Sequence, residues 1–504
     1  MAAPELIIRP LYHIPGIKFR HTWKGLGNID QMRWMGRKDC LKHLESARKE
    51  LGINHIRAVG LYDDNLFVLG RDPVNFENHK EGDYRTNWQY IDYIFDELLD
   101  IGISPVFTTA FMPSALASGT QTVFDTRNNV SLPRSYDQWA ELVSTTLKHN
   151  IYRYGNTRMK QWYYEVWNEP NLGAFFGGNK EDFFKLWQTT WNAIKSVDPD
   201  FRIGGPSTAR AEWIPEFIMF ARENNCMPDF LVGHIYNNDS EFAALSPFSG
   251  PQEDKMNKSP NFIGGVIKGV KEIAEEHNFG GEIHWNEWGR SWLPYDPLRE
   301  TANEAAFIVK TIGEASQYAD YFAYWCLSDI YNQLGYGAET FHGNYGMMNL
   351  QGLKKPSYFA HQLLGNLDNK RLQIMAIPED QQLNAIATCE DKSISVMVYS
   401  YDHNFELHYP SKSVCIKIEL PAGFDLSASE IKLYRVSQEQ NNIVKYWEKS
   451  GSPAYIRYEE RELWKENNCL EDDDSKFTIT ISSGISQLEF DMLTPGITLV
   501  KITL

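Results

Sequence analysis

Eight short apolar runs, each followed by a stretch of helical periodicity, occupy the first two-thirds of this 504-residue chain and limit the folds open to it. The runs are Ile17–Trp23, His55–Gly60, Ser104–Thr109, Trp162–Trp167, Phe201–Gly205, Phe230–Ile235, Glu282–Trp288 and Tyr321–Cys326. Between them, Cys40–Leu51 sets Leu41, Leu44, Ala47 and Leu51 on one face of a helix, and Trp88–Leu99 does so with Ile91, Ile94, Phe95 and Leu98. Parallel strands need a crossover longer than a hairpin, and a helix supplies it, so this alternation predicts a parallel α/β sheet. Eight such units close a barrel. The expected fold class is therefore α/β, a (β/α)8 TIM barrel over residues 15–365.

Past about residue 370 the period changes. Short alternating runs at Arg371–Ile377, Ala385–Thr388, Ser393–Tyr399, Val414–Leu420, Ile431–Val436, Phe477–Ile481, Gln487–Phe490 and Ile497–Leu504, separated by turns such as Glu390-Asp391-Lys392, predict an antiparallel β-sandwich over 366–504. A charged helical insertion is expected near 455–467. Residues 1–14, with a strand at Glu5–Ile8, are expected to pair into the same sandwich. No Ser/Gly linker or internal repeat separates the two domains.

A formal net charge of −17 disfavours nucleic acid and anionic membrane surfaces as partners, since both select basic patches. A neutral substrate suits it. Six cysteines without C-x-x-C or ligand spacing predict buried free thiols, with no metal and no cofactor. The N-terminal residues lack a basic segment followed by a long apolar one, and no apolar window of membrane-spanning length occurs. Cytoplasmic localisation is the expectation, with secretion or a periplasmic location as the alternative; the sequons at Asn129, Asn238 and Asn257 do not decide between them. A homo-oligomer is compatible with all of this.

Two glutamates close apolar aromatic runs: Glu169 in Tyr-Tyr-Glu-Val-Trp-Asn-Glu-Pro-Asn and Glu287 in Ile-His-Trp-Asn-Glu-Trp. Polar residues at the C-terminal ends of barrel strands form the active face. Cleaving a glycosidic bond needs one carboxyl to protonate the departing oxygen and another to attack or stabilise the anomeric carbon. Glu169 and Glu287 are expected to divide those roles. Asn168 is placed to offer an amide to a sugar hydroxyl, and His234 and Tyr236, at the end of the sixth run, to hold Glu287 ionised and aimed. Trp325, ending the eighth run, is expected to stack on the sugar, and Arg290 to read a hydroxyl or a carboxylate. Trp167, Trp285, Trp288 and Glu165 are read as structural.

Those residues, with Phe111-Met112-Pro113-Ser114, Tyr324-Trp325-Cys326-Leu327-Ser328-Asp329, Phe341-His342-Gly343 and Lys355-Pro356-Ser357-Tyr358, resemble glycoside hydrolase family 39. The resemblance implies a retaining glycosidase in which Glu169 is the acid/base and Glu287 the nucleophile of a double displacement. It also adds Arg57, Asn332 and His342 to the substrate-binding candidates. Departures occur at Arg57-Ala58-Val59-Gly60, where a family histidine is missing, at Ile330-Tyr331-Asn332-Gln333 in place of an acidic pair, and at Thr108-Thr109 in place of a glutamate. A β-xylosidase acting on plant oligosaccharides or glycosides is the expected activity. Arabinose-releasing or α-L-iduronidase-like action with an altered glycone pocket comes next, and transglycosylation shares the same covalent step. A catalytically inactive carbohydrate-binding protein is the reading from another class, and the intact glutamate pair opposes it.

Overall fold

Eight parallel strands do form one sheet in chain order: Leu26–Gln31, His55–Val59, Ser104–Thr108, Tyr163–Glu165, Arg202–Thr208, Phe230–Tyr236, Glu282–Gly289 and Tyr321–Tyr324. The computed structural model describes residues 6–11, 14–71, 84–239, 259–333, 335, 337–377, 382–419, 429–473, 477–482 and 485–503. The first and eighth strands meet. Leu327 donates its N–H to the Asn28 carbonyl at 2.9 Å. The Asn28 side-chain amide reaches the carbonyls of Asn286 (2.7 Å), Ala323 (3.1 Å) and Tyr324 (3.3 Å), joining first, seventh and eighth strands. A side chain that mimics a peptide group completes the seam, and the sheet is a (β/α)8 barrel.

The first barrel strand is Leu26–Gln31 and not Ile17–Trp23. Ile17–Lys18 pairs antiparallel with Lys370–Leu372 in the sandwich instead. Leu26–Gln31 shows no apolar run because Asn28, Asp30 and Gln31 are all buried and polar, hydrogen-bonded within the fold to Asn286, Gln333 and Thr126. Burial of hydrogen-bonded polar groups is invisible to a hydropathy pattern. The other seven strands fall within their expected runs to within a few residues at each end.

Helices follow each strand, and local chemistry sets several of their ends. Asn179 and Asp182 cap Lys180–Val197 reciprocally, at 2.9 and 3.0 Å. The two expected helices appear as Lys38–Glu50 and Gln89–Asp100. One end of the barrel is plugged by Leu26, Val106, Tyr163, Phe230, Val232 and Ala323, with His284 stacked on Phe230 at 4.4 Å. A packed interior leaves the opposite, C-terminal end for polar groups.

Backbone contacts group the chain into two compact units, one of Thr22–Trp292 with Tyr318–Tyr336, the other of Met1–His21, Leu293–Gln317 and Gly337–Leu504. The grouping departs from a single cut at 365 because helix Ala302–Ala315 bonds to sandwich residues. Asn303 exchanges hydrogen bonds with Asp402 (2.8 and 2.9 Å), and Arg371 donates to the Gly313 carbonyl at 2.6 Å. The sandwich has a five-stranded sheet and a six-stranded sheet around a core that includes Leu6, Ile8, Val396, Ile416, Phe490 and Val500. Strand Leu6–Pro10 pairs antiparallel with Ile374–Ile377 and parallel with Ser411–Glu419.

The helical stretch expected near 455–467 is present as Arg461–Glu466, and a second short helix, Ile443–Lys449, packs with it through Ile443, Trp464 and Phe341. Five cysteines are buried as expected, but Cys469 is exposed. Asn129 and Asn238 are buried, their side chains bonded to the backbone of Gly119 and Trp292, so neither offers an amide for glycosylation; Asn257 lies outside the described residues. Among the described residues no helix is long and apolar enough to cross a membrane.

Candidate active site

The fourth strand keeps its parallel ladder only to Glu165, after which Trp167 and Glu169 adopt left-handed φ angles of 68° and 46°. Non-glycine residues enter that region at a cost of about 1–3 kcal/mol each, and they stay there only when held. Here Glu169 donates its N–H to the Ser207 carbonyl (2.8 Å) and Trp167 donates its own to the Thr109 hydroxyl (3.2 Å). The Trp167 ring packs edge-on against Phe111 at 5.7 Å. The turn thus sends the indole into packing and the Glu169 carboxyl toward the strand ends.

A register shift aims Glu287. Val232 sits opposite His284, yet two residues later His234 sits opposite Glu287 rather than Asn286. The seventh strand carries the same extra residue against the eighth, pairing Trp285 with Phe322 and then Trp288 with Tyr324. One inserted residue reverses the alternation of side chains, so Glu287 takes the face that a regular strand would give to Asn286.

Glu169, His234 and Glu287 each bring a side-chain N or O atom to within 4.8 Å of the others. Nδ1 of His234 lies 3.0 Å from Oε1 of Glu169 and 3.6 Å from Oε2 of Glu287. Tyr236 donates its hydroxyl to Oε1 of Glu287 at 2.8 Å. Arg57, also among the expected substrate-binding residues, is fully buried and bonded to these groups. Its Nε and Nη2 grip Glu165 (2.7 and 3.1 Å), Nη2 also reaches Oδ1 of Asn168 (2.6 Å), and Nη1 approaches Oε2 of Glu287 (3.4 Å). With its carbonyl oxygen so occupied, the Asn168 amide group keeps its N–H donors for another partner.

The two carboxyls differ in setting. Burial pushes Glu169 up to about 7, against the opposing fields of Arg57 and Arg210. Burial also raises Glu287, but His234, Arg57 and the Tyr236 hydroxyl all oppose that rise while Glu169 adds to it. Burial pushes His234 down to about 4, so the ring between the two carboxyls is neutral at pH 7. For Glu165 burial favours the acid form, but the charge and hydrogen bonds of Arg57 outweigh it and keep the carboxyl below its ordinary range.

Asp239 is a buried carboxyl that pattern reading passes over. It accepts from the Tyr236 N–H at 2.7 Å, in a turn closed by its own N–H to the Tyr236 carbonyl (3.0 Å). The usable signal is an acidic residue three positions after a strand-end tyrosine, the spacing of such a turn. Burial, with Glu169 and Glu287 adding to it, pushes Asp239 up to about 8. A carboxyl raised in the folded state stabilises fully below its unfolded value near 3.8, and that contribution fades as pH rises to about 8. Asp239→Asn is accordingly expected to flatten the fall in stability between pH 4 and 8, and urea unfolding at the two ends of that window measures it.

Trp325 is buried, donates its N–H to the Trp288 carbonyl (3.0 Å) and meets Tyr331 edge-on at 6.4 Å. Arg290 is buried just past the seventh strand. Asn332 donates its N–H to Asp30 (3.2 Å) and accepts from Arg33 (3.4 Å). His342 belongs to the second unit, donating its N–H to Glu300 (3.2 Å), with Nδ1 3.0 Å from the Glu339 carbonyl. Of the expected site residues, Glu169, Glu287, Asn168, His234, Tyr236 and Arg57 form one bonded cluster.

A (β/α)8 barrel with two convergent, buried glutamates in unlike settings on its strand ends is the framework of a glycoside hydrolase. The chain belongs to glycosyl hydrolases family 39, whose sequence model matches residues 12–474. It is 36% identical over 428 residues to a beta-xylosidase of Caldicellulosiruptor saccharolyticus, covering 84% of each chain. A beta-xylosidase of Geobacillus stearothermophilus is 30% identical over 442 residues, 87% of this chain and 84% of that one. In structure it is similar to a monomeric beta-xylosidase from Caulobacter crescentus CB15, with a TM-score of 0.84, 25% identity and 99% of each chain covered.

Proposed function

We propose that the protein is an exo-acting retaining β-xylosidase, with Glu287 as nucleophile and Glu169 as acid/base, on a catalytic domain of about residues 15–365 with 366–504 as its accessory sandwich. The observation that carries this reading is that one oxygen of each carboxylate lies within 4.8 Å of one of the other. Retaining enzymes keep the pair about 5–5.5 Å apart, whereas inverting ones hold it at about 6.5–9.5 Å to admit a water. The beta-xylosidase relatives support the choice of xylose.

In this mechanism Glu287 attacks the anomeric carbon while Glu169 gives its proton to the leaving oxygen. Glu169 then takes a proton from water, whose oxygen displaces Glu287. Asn168, its carbonyl oxygen held by Arg57, donates an amide N–H to the hydroxyl next to the anomeric carbon, a bond that strengthens as positive charge develops on the ring.

Activity against pH follows from the two carboxyls. kcat/KM rises as Glu287 loses its proton above the ordinary glutamate range, and falls as Glu169 loses its own near 7. For an aryl glycoside with a good leaving group, Glu169→Ala is expected to erase the alkaline limb and leave the acid limb; initial rates from pH 4 to 9 read both.

A 2-deoxy-2-fluoro xyloside with a reactive leaving group tests covalency. The intact mass should rise by one fluoroxylosyl group, and the modified peptide should contain Glu287. If no reactive glycone labels Glu287, retention is wrong. A nitrophenyl panel of xylose, both ring forms of arabinose, galactose, glucose and iduronate fixes the glycone; the β-xyloside is expected to lead by about tenfold or more in kcat/KM.

A further inference from the structure

The first barrel strand runs directly into a short turn, Met32–Gly36, that carries Arg33 and Trp34 at the C-terminal end of the barrel. The Arg33 guanidinium lies over the Trp34 ring, 4.3 Å from its centroid. A cation–π contact engages the flat face of a guanidinium and leaves its in-plane N–H donors for acceptors. Those donors are poorly matched. Nη2 makes one long hydrogen bond, 3.4 Å to Oδ1 of Asn332, and Nε is buried with no acceptor.

Two buried carboxyls lie in the electrostatic neighbourhood of Arg33, and both are occupied by neutral donors. Asp30 accepts from the Trp34 indole (3.0 Å), the Gln333 amide (2.7 Å) and the Asn332 N–H (3.2 Å). Asp63 accepts from the Asn65 backbone (2.9 Å), the Asn65 side chain (2.6 Å) and the Asn128 amide. Arg33 is thus a fixed, half-buried cation whose donors exceed its acceptors.

Its position links it to the glutamate pair. Gln333, bonded to Asp30, also accepts from the Tyr331 hydroxyl at 2.8 Å; the Tyr331 ring abuts Trp325, and the Trp325 N–H binds the carbonyl of Trp288, the residue after Glu287. Arg33 joins that chain through Asn332, the residue before Gln333, whose Oδ1 accepts from Arg33 Nη2.

We infer that Arg33 is a subsite for a carboxylate-bearing sugar, a uronate residue attached next to the glycone that Glu169 and Glu287 process. The inference deepens the proposed function and rests on it. A guanidinium pairs with a planar carboxylate through two parallel N–H bonds, which a neutral hydroxyl cannot reproduce. The net charge of −17 repels polyanions at long range, which favours a single uronate over a densely sulfated chain.

The test compares xylotriose with its glucuronate-branched analogue on the full chain. The wild type should favour the branched sugar in kcat/KM by about tenfold or more, and Arg33→Gln should bring the ratio of the two close to unity. Asn332→Asp, which gives Arg33 a counter-ion of its own, should lower the same ratio. A wild-type ratio of one, or a ratio unchanged in Arg33→Gln, overturns the subsite. Failure to cleave either sugar strikes the proposed function instead, and calorimetric binding of the two sugars to wild type and Arg33→Gln then reads the subsite on its own.

Discussion

Glu287→Ala should lose turnover by at least about 10⁴-fold on every substrate, as removal of a covalent nucleophile does when the remaining groups only bind and polarise. The Glu169→Ala result should depend on the leaving group. General acid assistance is worth about 10²–10⁴-fold, and a nitrophenolate departs with little need of it. An alkyl xyloside or xylobiose should therefore fall by that factor in Glu169→Ala, while a dinitrophenyl xyloside keeps its first step and stalls as glycosyl-enzyme, because no base remains to activate water. Burst kinetics with the dinitrophenyl substrate separate the two steps, and added azide, which needs no base, should restore turnover. Equal losses on good and poor leaving groups in Glu169→Ala would remove it from the acid role. In the proposed roles the two identical side chains differ through their settings: Glu169 is pushed up to about 7 by burial, and Glu287 is held by the Tyr236 hydroxyl at 2.8 Å.

Much of this was legible in the sequence, for reasons that differ from residue to residue. Strand-terminal Glu169 and Glu287 stand out because apolar runs announce the strands and a barrel exposes their C-terminal ends. The alternation of a regular strand would nevertheless have turned Glu287 away from His234; the extra residue in the seventh strand corrects this, and no composition signal marks it. The first strand was hidden for the opposite reason. Asn28, Asp30 and Gln31 are as buried as any core residue but polar, and their partners Asn286, Gln333 and Thr126 are 258, 303 and 95 positions away. Arg57 and Glu165 illustrate the same limit: each alone reads as a substrate contact or a structural residue, and only the fold shows that they face each other 108 positions apart.

Arg57 gives the second large effect. Removing one member of a buried ion pair leaves an uncompensated charge, which costs about 3–5 kcal/mol. Arg57→Met should destabilise the barrel by that amount, since Glu165 is fully buried and the Thr108 hydroxyl, at 3.3 Å, is a neutral donor that leaves its charge uncompensated. Activity should fall further than stability alone explains, because the same guanidinium holds Asn168 and approaches Glu287. The double replacement Arg57→Met with Glu165→Leu separates the two contributions. Replacing both charges with apolar side chains of similar volume is often neutral or stabilising, so the double variant should regain most of the lost unfolding free energy in urea titrations. It should not regain kcat, since Asn168 and Glu287 still lack their donor. Recovery of both would make the pair a device for folding alone, whereas recovery of stability without turnover makes Arg57 a positioning residue that aims the nucleophile and the amide beside it.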